Sequence, residues 1–296
     1  MKRFFAAVLC LCLCLLAGCG RTDSTGNTCR AEETPGGGDV SGKAEKPGES
    51  AETAGETFRI VREEKDGLLL ARVGGGPADV YTLSLPDTGV TLDGEAFDRE
   101  EPRAYQALPG SALTGALAEI TYGTVLETYP GQLGEVTAVN IRSDGFDDRC
   151  ALYLRVLDDL WDVDGGLNGD ITMASVDLSQ TSLSESEQAA VAWAFAGKHG
   201  ISDPLTLSYA ELAAEGYLTD AESDSDGIPC WEEGCLFVIT EQAAENNARN
   251  GAGDTVTFDA QKWRSALGAY FFCDCTASQD IDGRWGDYTV GSQAIS

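Results

Sequence analysis

Carboxylates recur at alternate positions in Glu222-Ser223-Asp224-Ser225-Asp226-Gly227-Ile228-Pro229-Cys230-Trp231-Glu232-Glu233, with glycine sixth. Calcium takes six to eight oxygen ligands, and an EF-like loop supplies them from positions 1, 3, 5, 7, 9 and 12 around a glycine turn. Counted from Glu222, the donors are the carboxylates of Glu222, Asp224, Asp226 and Glu233, the Ile228 carbonyl and a water near Cys230. An acidic turn that solvates a helix-to-strand connection has the same composition. Lys262-Trp263-Arg264 is a basic spot in acidic surroundings. An arginine fixed beside an aromatic ring could clamp the anionic group of a small ligand; a strand whose arginine satisfies a neighbouring carboxylate is the competing reading. The single histidine, His199, ends a predicted helix beside Lys198, where a cation complements the helix dipole. No nucleophile elbow, HExxH, P-loop or dinucleotide glycine pattern occurs. Carboxylates are numerous enough to leave a paired-carboxylate hydrolase open.

The acidic loop resembles the DxDxDGIPDxxE calcium repeats of secreted bacterial proteins, and this resemblance implies bound Ca2+. It departs from them in Glu222 at the first position, Cys230 at the ninth, and the lack of a second copy.

A second constellation concerns location. Lys2 and Arg3 precede an unbroken apolar run from Phe4 to Leu16, the charged and apolar regions of a secretory signal. The run is shorter than the roughly 20 residues of a membrane span. It ends in Leu16-Ala17-Gly18-Cys19, which resembles a lipobox. That resemblance implies cleavage before Cys19 and a diacylglycerol thioether on its sulfur, which supplies the two acyl chains that stable anchoring requires. An ordinary secretory signal would end in an Ala-x-Ala-like site, absent here. Residues 1–18 are therefore read as a lipoprotein signal, with the mature chain held by lipid on the extracytoplasmic face of the cell membrane.

Elements must position these groups. Residues 19–56 are rich in Gly, Ser, Thr, Glu, Lys and Pro, a composition that cannot offset its ordering entropy, and are expected to be a disordered tether. From 57 to 148 short β-like runs follow at Phe58–Val61, Leu68–Val73, Val80–Leu85, Leu117–Tyr122, Val125–Tyr129 and Val136–Ile141, punctuated by turn signals such as Asp66-Gly67. These predict a small antiparallel β-barrel. Ile120-Thr121-Tyr122-Gly123 with Glu127-Thr128-Tyr129-Pro130 resembles a segment of small barrels in other Gram-positive lipoproteins, which implies an OB-like barrel. Tyr81, Tyr122 and Tyr129 could form a stacking platform there, or simply pack across strands.

From 149 to 296 helical periods come first. Leu152, Val156, Leu157 and Leu160 form one stripe, stopped by Gly165-Gly166; Ser184 and Glu187 fit a capping box before a helix running to His199; Ser208 to Ala214 is a third, short helix. Strands follow at Leu236–Thr240, Thr255–Phe258, Ser265–Cys275 and Tyr288–Gly291. Helices packed on an antiparallel sheet, an α+β domain, is the expectation. Leu157-Asp158-Asp159-Leu160-Trp161, Lys262-Trp263-Arg264-Ser265 and the final Ala294-Ile295-Ser296 resemble uncharacterised lipoproteins of gut Clostridia, a likeness that brings no activity with it.

The chain has 49 acidic and 20 basic residues, net −29, and its signal contributes only Lys2 and Arg3, so the mature form is more negative still. Such a surface lacks the Lys/Arg clusters that nucleic acid requires and is repelled by anionic headgroups. Cys29, Cys150, Cys230, Cys235, Cys273 and Cys275 stand where disulfides are permitted, either unpaired in the core or with one bridge. Neither Cys230/Cys235 nor Cys273/Cys275 has the spacing of a zinc knuckle. The expected function is a non-enzymatic, membrane-anchored binding or interaction module for a cation, peptide or cell-wall ligand. The alternative is an extracytoplasmic enzyme, isomerase-like or a wall or peptide hydrolase.

Overall fold

Leu68-Leu69-Leu70-Ala71 is apolar at four consecutive positions, and because strand side chains alternate faces, such a run is satisfied only where both faces are covered. The computed structural model, which describes residues 55–65, 67–220, 228–242 and 254–296, shows how. The first sheet comprises β1 (Glu56–Glu64), β2 (Gly67–Arg72), β3 (Val80–Leu83), β4 (Val90–Leu92), β5 (Glu95–Ala96), β6 (Leu117–Thr121), β7 (Thr124–Leu126), β8 (Gly131–Gly134) and β9 (Ala138–Arg142). Their order is β5-β4-β9-β6-β1-β2-β3-β8-β7. One face holds Phe58, Ile60, Leu68, Leu70, Ile120 and Ile141 in its own core. From the other face, Val61, Leu69, Ala71 and Val80 join a second core with the helices. Alternation sends adjacent Ile60 and Val61 to the two cores, and a bulge between Ile60 and Arg62 then turns Arg62 to the side of Leu69, the face that Val61 also serves.

The strand path corrects the expected antiparallel barrel. It is open, with no pairing among the described residues that joins β5 to β7. Two of its pairs, β3 with β8 and β4 with β9, are parallel. Both pairs are joined by long connections, which parallel neighbours require and hairpins cannot supply.

The mixed α+β character of the chain continues through α1 (Arg149–Asp162), β10 (Met173–Gln180), α2 (Glu185–Lys198) and α3 (Tyr209–Ala214). The second sheet adds β11 (Thr219–Asp220), β12 (Pro229–Cys230), β13 (Gly234–Glu241), β14 (Thr255–Ser265), β15 (Gly268–Gln279), β16 (Trp285–Thr289) and β17 (Ser292–Ile295). It is antiparallel except where β10 pairs β13 in parallel. Helix α2 starts in the expected capping box, Glu187 Oε2 accepting from Ser184 N at 2.9 Å. Its buried residues, Ser186, Ala189, Ala190, Val191, Ala192, Ala194, Phe195 and Ala196, leave little polar face, as befits a helix covered on several sides. The small alanines allow close approach, and buried Ser186 donates to Arg72 O at the end of β2 (2.8 Å).

Strand β14 is one continuous strand of eleven residues, where the sequence suggested a strand ending at Phe258; it turns at 266–267 and returns as β15. Cys273 and Cys275 do not share a face, because Asp274 sits at φ 53° in an irregular stretch of β15. Cys275 is buried and Cys273 only partly. All five described cysteines are free thiols, and burial pushes those of Cys235 and Cys275 up to about 12.

Candidate functional site

Alternation along β14 places Lys262 and Arg264 on one face and Trp263 on the other, so the triplet does not converge. Trp263 meets Tyr209 edge-on at 4.9 Å and packs with Leu212, Trp231 and Leu236. Lys262 is fully buried, and desolvation lowers its pKa. Its ammonium donates to Asn168 Oδ1 (2.7 Å), Asp164 O (3.2 Å), Trp161 O (3.4 Å) and, most closely, Val163 O. Trp161 O and Val163 O stand at the end of α1, where helix carbonyls lose their intrahelical donors, and Asp164 O also accepts from Leu167 N at 3.0 Å; a cation there complements the helix dipole. Arg264 donates to Glu232 O (2.7 Å), Gly169 O (3.0 Å) and Leu167 O (3.4 Å). Both cations are engaged by neutral oxygens of the chain itself.

A concave surface lies elsewhere. Arg155, Asp158, Asp159 and Asp162 are spaced i, i+3, i+4, i+7 on α1 and therefore share its polar face. Opposite them β16 brings Asp287 and Tyr288, and α2 ends with Lys198. Together they line a groove of about 540 Å³. A second hollow of about 250 Å³ shares Arg155 and Asp287 and adds Asp280, Arg284, Trp285 and Gly286.

Internal partners already engage two of the four carboxylates. Asp158 takes Lys198 Nζ at 2.7 Å and His199 Nε2 at 2.9 Å, with the imidazole stacked on Trp161 at 4.1 Å. Asp159 Oδ2 accepts from Tyr288 OH at 2.6 Å; burial first and this bond second raise the phenol's pKa. Asp162 and Asp287 are exposed and pair with no Lys, Arg or His among the described residues. Arg155 is held by Gly286 O (2.8 Å) and Trp285 O (3.0 Å). Nearby, Asp148 is buried, and burial raises its pKa despite the bond from Trp285 N to its Oδ1 (2.8 Å). The groove was missed because its two walls are more than a hundred residues apart; the i, i+3, i+4, i+7 spacing was the signal that marked one of them.

Of the expected calcium ligands, Glu222, Asp224 and Asp226 lie outside the described residues, as does Cys19. Glu233 is exposed, and its carbonyl accepts from Thr172 N (2.9 Å) and Met173 N (3.1 Å). Among the described residues no group of three His, Cys, Asp or Glu side chains converges as a metal requires. The three tyrosines do not form one platform. Tyr122 bonds Glu56 (2.9 Å) and is pushed up to about 12 by burial and that carboxylate; Tyr81 bonds Asp79 (3.1 Å); Tyr129 meets Trp193 on α2 at 5.6 Å. Tyr81 and Tyr122 pack their rings on core Phe58 at 5.5 and 6.3 Å.

No helix among the described residues is long and apolar enough to cross a membrane. The chain matches no family model, no curated protein and no solved structure.

Proposed function

We propose that this chain is an extracytoplasmic lipoprotein, anchored through Cys19, whose folded part is a non-enzymatic binding module for cationic groups. The supporting observation is the groove between α1 and β16, where, among the described residues, Asp162 and Asp287 have no basic partner, beside Asp158, bonded by Lys198 and His199, and Asp159, bonded by Tyr288. A ligand bearing amines replaces counterions at these two carboxylates without disturbing any internal bond. The cations of Lys262 and Arg264 are engaged structurally, which weakens a clamp for anions on β14. An OB-like kinship of the first sheet belongs to the same proposal, supported by the one-sided core that runs from Val90 and Leu92 of β4 to Leu133 of β8.

Spermidine titrated into the full chain by calorimetry at low salt should bind at one dominant site. The double variant Asp162→Asn/Asp287→Asn should weaken it roughly 2- to 30-fold, since each of the two exposed pairs contributes about 0.2 to 1 kcal/mol. Raising salt to 0.3 M should erase most of the difference, as screening demands. Equal affinities for wild type and double variant at low salt would discard the groove. The anchor has its own test: Cys19→Ala should abolish incorporation of a labelled fatty acid, and a variant that still carries label refutes the lipid attachment.

A further inference from the structure

Strand β7 is the last strand of the nine-stranded sheet and, among the described residues, pairs only with β8, through Thr124 with Gly134, Val125 with Leu133 and Leu126 with Gln132. Its outer edge therefore presents main-chain groups without strand partners among the described residues, although Leu126 O accepts from Thr128 N at 2.8 Å. Adjacent residues on a strand face opposite ways, so one of Val125 and Leu126 should be covered by the body of the sheet. Neither is: Val125 is 40% and Leu126 52% exposed, and Thr124 is exposed too. The strand overhangs the core on both faces. Nor is it loosely held, because Tyr129, three residues on, donates to Pro77 O at 3.0 Å and meets Trp193 of α2 edge-on. The opposite end of the same sheet is treated differently, as β5 is two residues long and carries Glu95, a charge of the kind that blocks edge pairing. On β7 the edge side chains are Thr, Val and Leu.

Charge decides what can add to this edge. Exposed Glu127 follows β7 directly, and exposed Glu135 sets its carboxylate over Gly123 just before the strand. No Lys or Arg occurs between Arg103 and Arg142. A second copy of the chain would bring another net −29 and the same two glutamates to the interface. We infer that the β7 edge docks an extended, basic peptide segment of a partner protein by strand addition, its main chain pairing with Thr124–Leu126, its apolar side chains covering Val125 and Leu126, and its Lys or Arg residues meeting Glu127 and Glu135. Strand addition draws affinity from main-chain bonds and specificity from alternate side chains. This surface is independent of the α1–β16 groove.

The test uses the full chain in detergent and a dye-labelled seven-residue peptide alternating lysine and valine, followed by fluorescence anisotropy and amide hydrogen exchange. The peptide should bind, slow exchange at 124–126, and lose at least 10-fold in affinity to Leu126→Lys, whose exposed side chain leaves the fold intact. The same peptide N-methylated at alternate residues keeps its charge but loses donors, and should bind at least 10-fold more weakly. Absence of binding, equal affinity for the N-methylated peptide or for Leu126→Lys, or protection confined to residues outside β7 overturns the inference. A wild-type dimer that Leu126→Lys dissociates overturns it as well, in favour of a second copy on the edge.

Discussion

Lys262→Met is expected to lower the stability of the folded part by about 3 kcal/mol. The methionine fills the same space but offers no donor, so Val163 O, Asp164 O and Asn168 Oδ1 lose their charged partner together. Hydrogen bonds to a charged group are worth about 1.5 to 3 kcal/mol each, and a buried acceptor left unsatisfied costs about 1 to 3 kcal/mol. Relief from burying an ammonium offsets part of this, which is why the total stays well below the sum. For a folded part of this size the melting temperature should fall by roughly 6 to 12 °C. Differential scanning calorimetry of wild type and variant measures it, with Asn168→Ala as a partial loss of about 1 kcal/mol. A Lys262→Met variant within 1 kcal/mol of wild type would mean that the α1 terminus is satisfied without the ammonium.

Gly115→Ala should cost a comparable 3 to 4 kcal/mol, approximately, through backbone and packing at once. Gly115 has φ 99°, and a Cβ there would stand 2.7 Å from Asp148 Cβ and 2.8 Å from Phe146 Cζ. Its carbonyl accepts from Arg59 NH1 (2.8 Å) and Asp147 N (2.9 Å), so it cannot move aside without releasing both. Gly74, at φ 71° with nothing within 4 Å of its Cβ position, isolates the backbone contribution. Gly74→Ala should cost only about 1 kcal/mol. Chemical denaturation of the two variants separates clash from conformation, and similar losses in both would show that the contacts around Gly115 relax freely.

Several elements were legible in advance because their signals are local. The stripe of Leu152, Val156, Leu157 and Leu160 marks the buried face of α1, and the Ser184/Glu187 box marks the start of α2. The strands at Phe58, Leu68, Val80 and Leu117 fall where β-branched and apolar runs stand between turns. Strands β4, β5 and β8 carried no such run: Val90-Thr91-Leu92, Glu95-Ala96 and Gly131–Gly134 are too short to show a period and exist because neighbours hold them. The open path and its parallel pairs were hidden for the same reason, since pairing partners lie about 50 residues apart in β3 with β8 and in β4 with β9.

Charge, composition and the capped helices were determined by the sequence alone, because each depends on residues within a few positions of one another. What became of the charged groups was decided only by tertiary structure. Lys262 reads as a surface cation until the carbonyls at the end of α1, 99 residues earlier at Val163, close around it. Asp287 reads as one acid among many until β16 lays it across from Asp158, Asp159 and Asp162. A side chain's solvation, and with it whether its charge is spent inside the fold or offered to a partner, is fixed by contacts between distant segments, and no local pattern carries that information.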